Sequence, residues 1–331
     1  MSLLDVKNLN VDLLTAMGPA RAVRNLEISL ERGETLGIVG ESGCGKSITA
    51  LALMGLLPDN ATTEGQILLS NEDLLKKPEK ELCTIRGNRM AMIFQEPMTS
   101  LNPVHTIGRQ VMEPLRLHRK LSKSAAYEEA LQLLDRVGIP NPKERINNYP
   151  HQLSGGQRQR VMIALALSCS PDILIADEPT TALDVTIQDQ ILELIQTLVS
   201  EEGMALILIS HDLGVIAENT QKVIVMYGGT VVESGSTEQI FGELTHPYTQ
   251  GLFAAMPKLG MGRRERLTTI PGTVPDLINL PPGCTFTDRC PLMTSQCGGT
   301  IPPVSNLGTH HKVSCHNIEQ AIKARTGGLY Q

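Results

Sequence analysis

Tryptophan is absent from this 331-residue chain, and aromatic residues of all kinds make up 3% of it. So few rings leave no material for a platform on which nucleic-acid bases could stack. Basic blocks are missing as well: 29 Lys and Arg face 35 Asp and Glu, a net charge of −6. Binding a phosphate backbone needs clustered cations, so no nucleic-acid partner is expected. No apolar stretch approaches the about 18 residues that suggest a membrane span. Met1-Ser-Leu-Leu-Asp-Val-Lys7 carries charge where a secretory signal needs an apolar core. The expectation is a cytosolic protein that reaches a membrane only through a partner. Internal repeats are also lacking. The length suggests about two domains, and 41% hydrophobic residues suffice for a sizeable core.

Cysteine is present but unevenly spread. Cys44, Cys83 and Cys169 are scattered, whereas Cys284, Cys290, Cys297 and Cys315 cluster near the C-terminus. In a reducing compartment such a cluster points to metal more than to disulfides. The spacing, C-x5-C-x6-C-x17-C, lacks the C-x2-C knuckles of structural zinc and the common ferredoxin spacings. Spacing alone therefore leaves a [4Fe–4S] cluster, Zn2+ and free thiols open. His310, His311 and His316 are either further zinc ligands or solvated loop residues.

The stretch around which the chain is organised is Gly40-Glu41-Ser42-Gly43-Cys44-Gly45-Lys46-Ser47, a G-x-x-x-x-G-K-S pattern. An apolar run, Thr35 to Val39, precedes it as a buried parallel strand would. A helical run from Ile48 to Leu57 follows. Glycines let successive backbone N–H groups turn inward on phosphates, and the helix adds its N-terminal dipole. Lys46 supplies a cation to the β- and γ-phosphates, and the Ser47 hydroxyl is a Mg2+ ligand. Gly40, Ser42, Gly43, Cys44, Gly45, Lys46, Ser47 and Ile48 are the candidate nucleotide-binding residues here. Cys44 is expected to react with thiol reagents and to be protected by nucleotide.

Residues 4–11 and 22–30 alternate apolar and polar side chains like half-solvated antiparallel strands, and residues 64–69 add another strand to the same small sheet. Residues 76–89 suggest a charged loop with a helix. Met90 to Phe94 reads as a buried strand ending at Gln95, before the prolines at 97 and 103. From Ile107 to Gly138 the period becomes helical, so residues 96–160 read as a helical insertion between strands. Leu153-Ser154-Gly155-Gly156-Gln157 opens another helix. Asp172 to Glu178 is a buried strand ending in two carboxylates, Asp177 and Glu178. An amphipathic helix spans 186–201, and Ala205 to Ile209 is a buried strand leading to Ser210-His211. Residues 223–232 form a hairpin about Gly228-Gly229. Beyond about residue 243, prolines at 257, 271, 275, 281 and 282 punctuate a loop-rich stretch of thin apolar content, which would need a staple.

Strand alternation gives the two terminal carboxylates separate work. Asp177 suits Mg2+, and Glu178 would polarise the water that attacks the γ-phosphate. His211 sits on the same strand-end edge, where doubly wound sheets place ligands, and would hydrogen-bond the γ-phosphate. Gln95 could contact both metal and water.

Taken together, the P-loop, Gln95, Leu153 to Gln157, Ile173 to Glu178, Thr181-Ala182-Leu183-Asp184 and His211 resemble the nucleotide-binding subunit of ABC transporters. The resemblance covers about residues 1–240. The stretches His246 to Leu252, Leu267 to Gly272 and Pro282 to Pro291 are similar to the tail of its peptide/nickel uptake subfamily. The implied fold is α/β: a P-loop, RecA-like ABC nucleotide-binding domain over residues 1–243, with an antiparallel β subdomain and the helical subdomain. A small Cys-containing module over 244–331 follows.

The implied activity is ATP hydrolysis with Mg2+. Glu178, His211 and Gln95 would be catalytic; Ser47, Gln95 and Asp177 would hold the metal. ATP would be sandwiched head-to-tail between one subunit's P-loop and Ser154, Gly155, Gly156 and Gln157 of another, with Asp184 at the interface. The resemblance also implies a [4Fe–4S] cluster at the four C-terminal cysteines, with Zn2+ as the alternative. Implied partners are a second, homologous ATPase in a heterodimer, two transmembrane permease subunits and an extracytoplasmic substrate-binding protein. The site of action would be the cytoplasmic face of the cell membrane. Di- or oligopeptides are the usual cargo, with nickel complexes and haem also occurring; the rival reading is a soluble ABC ATPase acting on nucleic acid or ribosomes, against which stand the single nucleotide domain and the acidic charge. The aromatic side chain that such subunits stack on adenine has no counterpart in residues 9–30, where Met17 or Arg21 would substitute.

Overall fold

The computed structural model describes residues 2–96, 100–181, 183–256, 269–327 and 329–330. Pro97, Ala182, Pro257, Leu267 and Thr268, which figure in the sequence patterns above, lie outside the described residues. The chain divides into two compact units.

One unit comprises Met1–Leu3, Leu30–Glu34 and Lys76–Ile209. Its strands Met90–Ile93, Ile173–Asp177 and Ala205–Ser210 run parallel, with Ile173–Asp177 in the middle. Met90 lies opposite Ile173, and Ile173 opposite Ala205. Every residue of Ile173–Asp177 is buried, as expected of a parallel strand covered on both faces. Between the first two strands the chain makes the helices Ile107–Leu117, Lys123–Arg136, Pro142–Arg145 and Gly155–Leu167. Helix Lys123–Arg136 starts at Ser122, whose side chain accepts from Ala125 N. Its apolar face buries Ala126, Ala130, Leu131 and Leu134. The helical reading from 107 to 138 is thus two helices, separated at residues 118–122. Val185–Glu202 buries Ile191, Ile195, Leu198 and Val199 and stops at Gly203 in the left-handed conformation.

The other unit comprises Leu4–Ser29, Thr35–Leu75 and Ser210–Gln331. Its four-stranded sheet runs Gly18–Leu30, Leu4–Thr15, Ala61–Leu69, Glu72–Asp73. The first two strands are longer than their alternation suggested and meet at a hairpin whose tip exposes Leu14 and Met17. Five further strands line up as Val304–Asn306, Lys312–Ser314, Thr230–Ser236, Lys222–Tyr227 and Thr35–Val39. Thr35–Val39 runs parallel to Lys222–Tyr227, with Val39 opposite Val225. Lys312–Ser314 pairs antiparallel to the hairpin strand Thr230–Ser236, Val313 facing Glu233, and Val304–Asn306 pairs antiparallel to Lys312–Ser314. The stretch after residue 243 therefore extends the sheet that carries the P-loop strand, which its scarce periodicity did not suggest. No helix among the described residues is long and apolar enough to cross a membrane.

Candidate nucleotide site

Strand Thr35–Val39 delivers the chain to Gly40 and helix Lys46–Met54 takes it away, with Gly45 as N-cap. A Cβ on Gly40 would lie 2.2 Å from Met226 O, and one on Gly45, at φ 105°, would lie 2.4 Å from Ala22 O. Only glycine fits this turn. Lys46 is 5% exposed. Its Nζ donates to Gly40 O at 2.8 Å and Glu41 O at 3.1 Å, so the ammonium sits folded onto the loop it would serve. Glu41 N donates to Tyr248 Oη at 2.8 Å, and the Glu41 carboxylate receives Arg289 Nη1 at 2.6 Å and Nη2 at 3.1 Å. Cys44 is 1% exposed, and burial pushes its thiol pKa up. The expected reactivity of Cys44 toward thiol reagents is therefore corrected: the thiolate that would react is disfavoured and shielded.

His211 belongs to the same unit as the P-loop. It is exposed and lies just past strand Ala205–Ser210. The next residue, Asp212, caps helix Leu213–Asn219 by accepting from Gly214 N at 2.7 Å.

The carboxylates lie in the other unit. Asp177, 3% exposed, is the last residue of its strand. Glu178 stands beyond the strand, at φ 45°. Strand alternation therefore does not aim its side chain; a left-handed backbone does, in a conformation that costs a non-glycine residue energy and tends to occur at functional sites. Gln95 Nε2 donates to Glu178 Oε2 at 3.1 Å and Thr181 Oγ1 donates to the same oxygen at 3.0 Å. Gln95 itself lies two residues past its strand, which ends at Ile93. The sequence pattern named Thr181 without giving it a role at the site, although a hydroxyl three residues after a strand-end carboxylate is a recognisable turn signal.

Ser154 N-caps helix Gly155–Leu167: its Oγ accepts from Gln157 N at 3.3 Å, and Gln157 Oε1 accepts from Ser154 N at 3.1 Å. This reciprocal capping box was legible as S-x-x-Q. It keeps the small residues Gly155 and Gly156 in the first helical turn, where free N–H groups favour an anion. Asp184 caps Val185–Glu202 by accepting from Ile187 N at 3.1 Å. Arg21 grips Asp12 through both Nε and Nη2.

The four-cysteine metal site is not upheld. Among the described residues no group of three or more His, Cys, Asp or Glu side chains could hold a metal ion. Burial drives the Cys284 thiol to about 11 and the Cys290 thiol to about 12, and raises Cys315 too. Burial thus disfavours the thiolate form at these positions. Cys297 Sγ and Thr294 Oγ1 lie 3.3 Å apart, and Asn317 N donates to Cys315 Sγ at 3.3 Å, so both sulfurs already take part in local hydrogen bonding. The iron–sulfur assignment and its zinc alternative are withdrawn. Nor is His311 a solvated loop residue. It is 1% exposed, with Nε2 at 2.9 Å from Glu233 and Nδ1 at 3.0 Å from Glu243.

Comparison with known proteins adds independent findings. A family model described as ABC transporter matches residues 23–181, and one described as the oligopeptide/dipeptide transporter C-terminal region matches 232–297. The chain is 51% identical to the dipeptide transport ATP-binding protein DppD of Bacillus subtilis, covering 94% of this chain and 93% of that one. It is 53% identical to the oligopeptide transport ATP-binding protein OppD of Haemophilus influenzae, covering 89% and 91%. Among solved structures, the ATP-binding cassette MJ0796, a dimer bound to ADP and Pi, is similar with a TM-score of 0.64 at 30% identity. That match covers 71% of this chain and 98% of that one.

Proposed function

The chain belongs to the ATP-binding proteins of ABC transporters, in the branch of the peptide, dipeptide and oligopeptide importers, and from that premise we propose that it is the ATP-hydrolysing subunit of a peptide importer. The observation that carries the chemistry is Glu178: a carboxylate just past the end of a buried strand, in a left-handed backbone, gripped at one oxygen by Gln95 and Thr181. A base held in one orientation can align and polarise a water without reorganising during the reaction.

The P-loop backbone, with Lys46, would bind the triphosphate. Ser47, Gln95 and Asp177 would hold Mg2+; hydroxyl, amide and carboxylate oxygens are the hard donors that this ion takes. When bound, Mg2+ neutralises charge developing on the phosphates. His211 would hydrogen-bond the γ-phosphate. Ser154, Gly155, Gly156 and Gln157 would serve the nucleotide of a second subunit through the helix N-terminus, with Asp184 at the junction. In keeping with this, the similar cassette MJ0796 is described as a dimer. The functional division would be an ATP-binding domain over 1–243, with its helical subdomain at about 96–160, and a C-terminal module over 244–331. The partners would be a second, homologous ATPase, two permease subunits and an extracytoplasmic binding protein, and the site of action the inner face of the cell membrane. The dipeptide and oligopeptide transport proteins among its relatives support the cargo class.

A groove of about 770 Å³, lined by Thr106, Arg109, Met112, Glu113, Tyr127 and Ile146 among others, opens in the helical region and would receive the permease. Two measurements test the reading. Glu178→Gln in the assembled importer should still bind ATP while turnover falls by about 100-fold or more; near-normal hydrolysis would sink the assignment. Tyr127→Asp should abolish co-purification with the permease subunits and leave ATP binding by the chain intact.

A further inference from the structure

Glu41 is an awkward residue for an anion cradle. It is the second residue of the P-loop, and its carboxylate would repel a triphosphate. Two residues of the C-terminal stretch converge on it. Tyr248 Oη accepts from Glu41 N at 2.8 Å. Arg289, 248 residues away, forks onto both carboxylate oxygens at 2.6 and 3.1 Å. The Arg289 side chain is 4% exposed against 28% for that of Glu41. It is fixed in turn by Pro271 O at 3.0 Å, Ile270 O at 3.3 Å and Tyr227 Oη at 3.3 Å, and its guanidinium carbon lies 5.7 Å from the centre of the Tyr227 ring.

A chain this poor in aromatics gathers three of its rings here. Tyr227 packs against Tyr248 at 4.6 Å and against Phe286 at 5.0 Å. Tyr227 is the residue after Met226, whose carbonyl lies against Gly40. Burial works against the guanidinium charge, but the bonds to Glu41 and Tyr227 outweigh it and the Arg289 pKa is raised. A buried, bidentate ion pair this heavily braced fixes both the place and the charge of the carboxylate.

We propose that Arg289 is a positioning residue for nucleotide binding: it draws the Glu41 carboxylate away from the phosphate cradle and neutralises it, while Tyr248 anchors the same residue's backbone. This makes the C-terminal stretch a working part of the P-loop, and it rests on the ATP-site reading above.

The test uses the full chain in its assembled importer. Arg289→Met should raise the KM for Mg-ATP about 10-fold with kcat little changed, because the loss is one of binding. Arg289→Lys should fall between, keeping the charge but not the fork. The double variant Arg289→Met/Glu41→Gln should return KM to within about 3-fold of wild type, since the repelling charge is gone. A mere packing role would not be rescued by removing the partner. An Arg289→Met protein with wild-type thermal unfolding and wild-type KM would overturn the proposal, as would a double variant no better than the single. If Arg289→Met does not fold, Tyr248→Phe reads the same loop by deleting only the hydroxyl. A KM rise of about 3-fold is expected, and an unchanged KM counts against the proposal. Lys46→Ala separates the layers: if it binds Mg-ATP normally the ATP-site reading itself fails, whereas if it loses ATP while Arg289→Met does not, only the Arg289 role fails.

Discussion

The P-loop and the four-cysteine stretch both present themselves in the sequence as ligand cradles, and the structure treats them differently. A P-loop works through backbone amides, and its shape follows from where glycine is obligatory. Gly40 and Gly45 are pressed against Met226 O and Ala22 O, so residue type and conformation are one fact. A thiolate site works through side chains that must converge and ionise. Cys284 and Cys290 are buried where their thiols are driven up to about 11 and 12, and no spacing rule reports that. Local pattern is a good guide where the backbone is the ligand and a poor one where burial sets the charge.

The sharpest way to break the comparison is Gly45→Ala. The added methyl would lie 2.4 Å from a carbonyl in a backbone at φ 105°, and nucleotide affinity should fall at least about 100-fold. Normal binding in a calorimetric titration would show that the loop's shape is not obligatory.

The second prediction concerns the cysteines. Under timed alkylation at pH 7.5 read by mass spectrometry, exposed Cys83 should be labelled first. Cys44, Cys284, Cys290 and Cys315 should lag by at least about 10-fold. Fast labelling of Cys284 or Cys290 would mean that burial does not control them.

Third, the Glu233–His311 pair sets a pH window. His311 is raised from its ordinary 6.5, first by the hydrogen bond its ring donates to Glu233. Its contribution is therefore complete below 6.5 and lost as pH rises through the raised value. Glu233 is lowered from 4.5: desolvation acts against this, but its bonds to His311 and to the backbone N–H of His246 prevail. Its contribution is complete above 4.5 and lost as pH falls through the lowered value. His246, buried and depressed to about 4, costs stability as pH drops below 6.5. Taking the difference between wild type and His311→Gln in thermal unfolding removes that background. The difference should be greatest between about pH 4.5 and 6.5 and shrink on the alkaline side; a difference that grows with pH would contradict the pairing.

The smallest effect expected is at Arg136, which bridges Glu201 and Glu202 on the surface at 37% side-chain exposure. Arg136→Ala should change stability by no more than about 0.5 kcal/mol, because water and salt screen such pairs.

Much of the scaffold was legible. The strand before the P-loop came out residue for residue as Thr35–Val39, because an unbroken apolar run between turn signals has few other uses. The strand read as 172–178 is Ile173–Asp177, and the one-residue difference matters: it puts Glu178 outside the sheet and changes why its carboxylate points as it does. The Ser154–Gln157 box carried its signal in four residues. His311 and Arg289 carried none, since each takes its role from residues 68 to 248 positions away.

By itself, then, the sequence determined the elements whose rules are local: the glycine-built phosphate loop, the buried strands, the capped helices and the likeness to a transport ATPase. Only the tertiary structure decided which charges are neutralised and which thiols ionise. Those depend on burial and on partners brought together by chain folding, and desolvation has no period along a sequence.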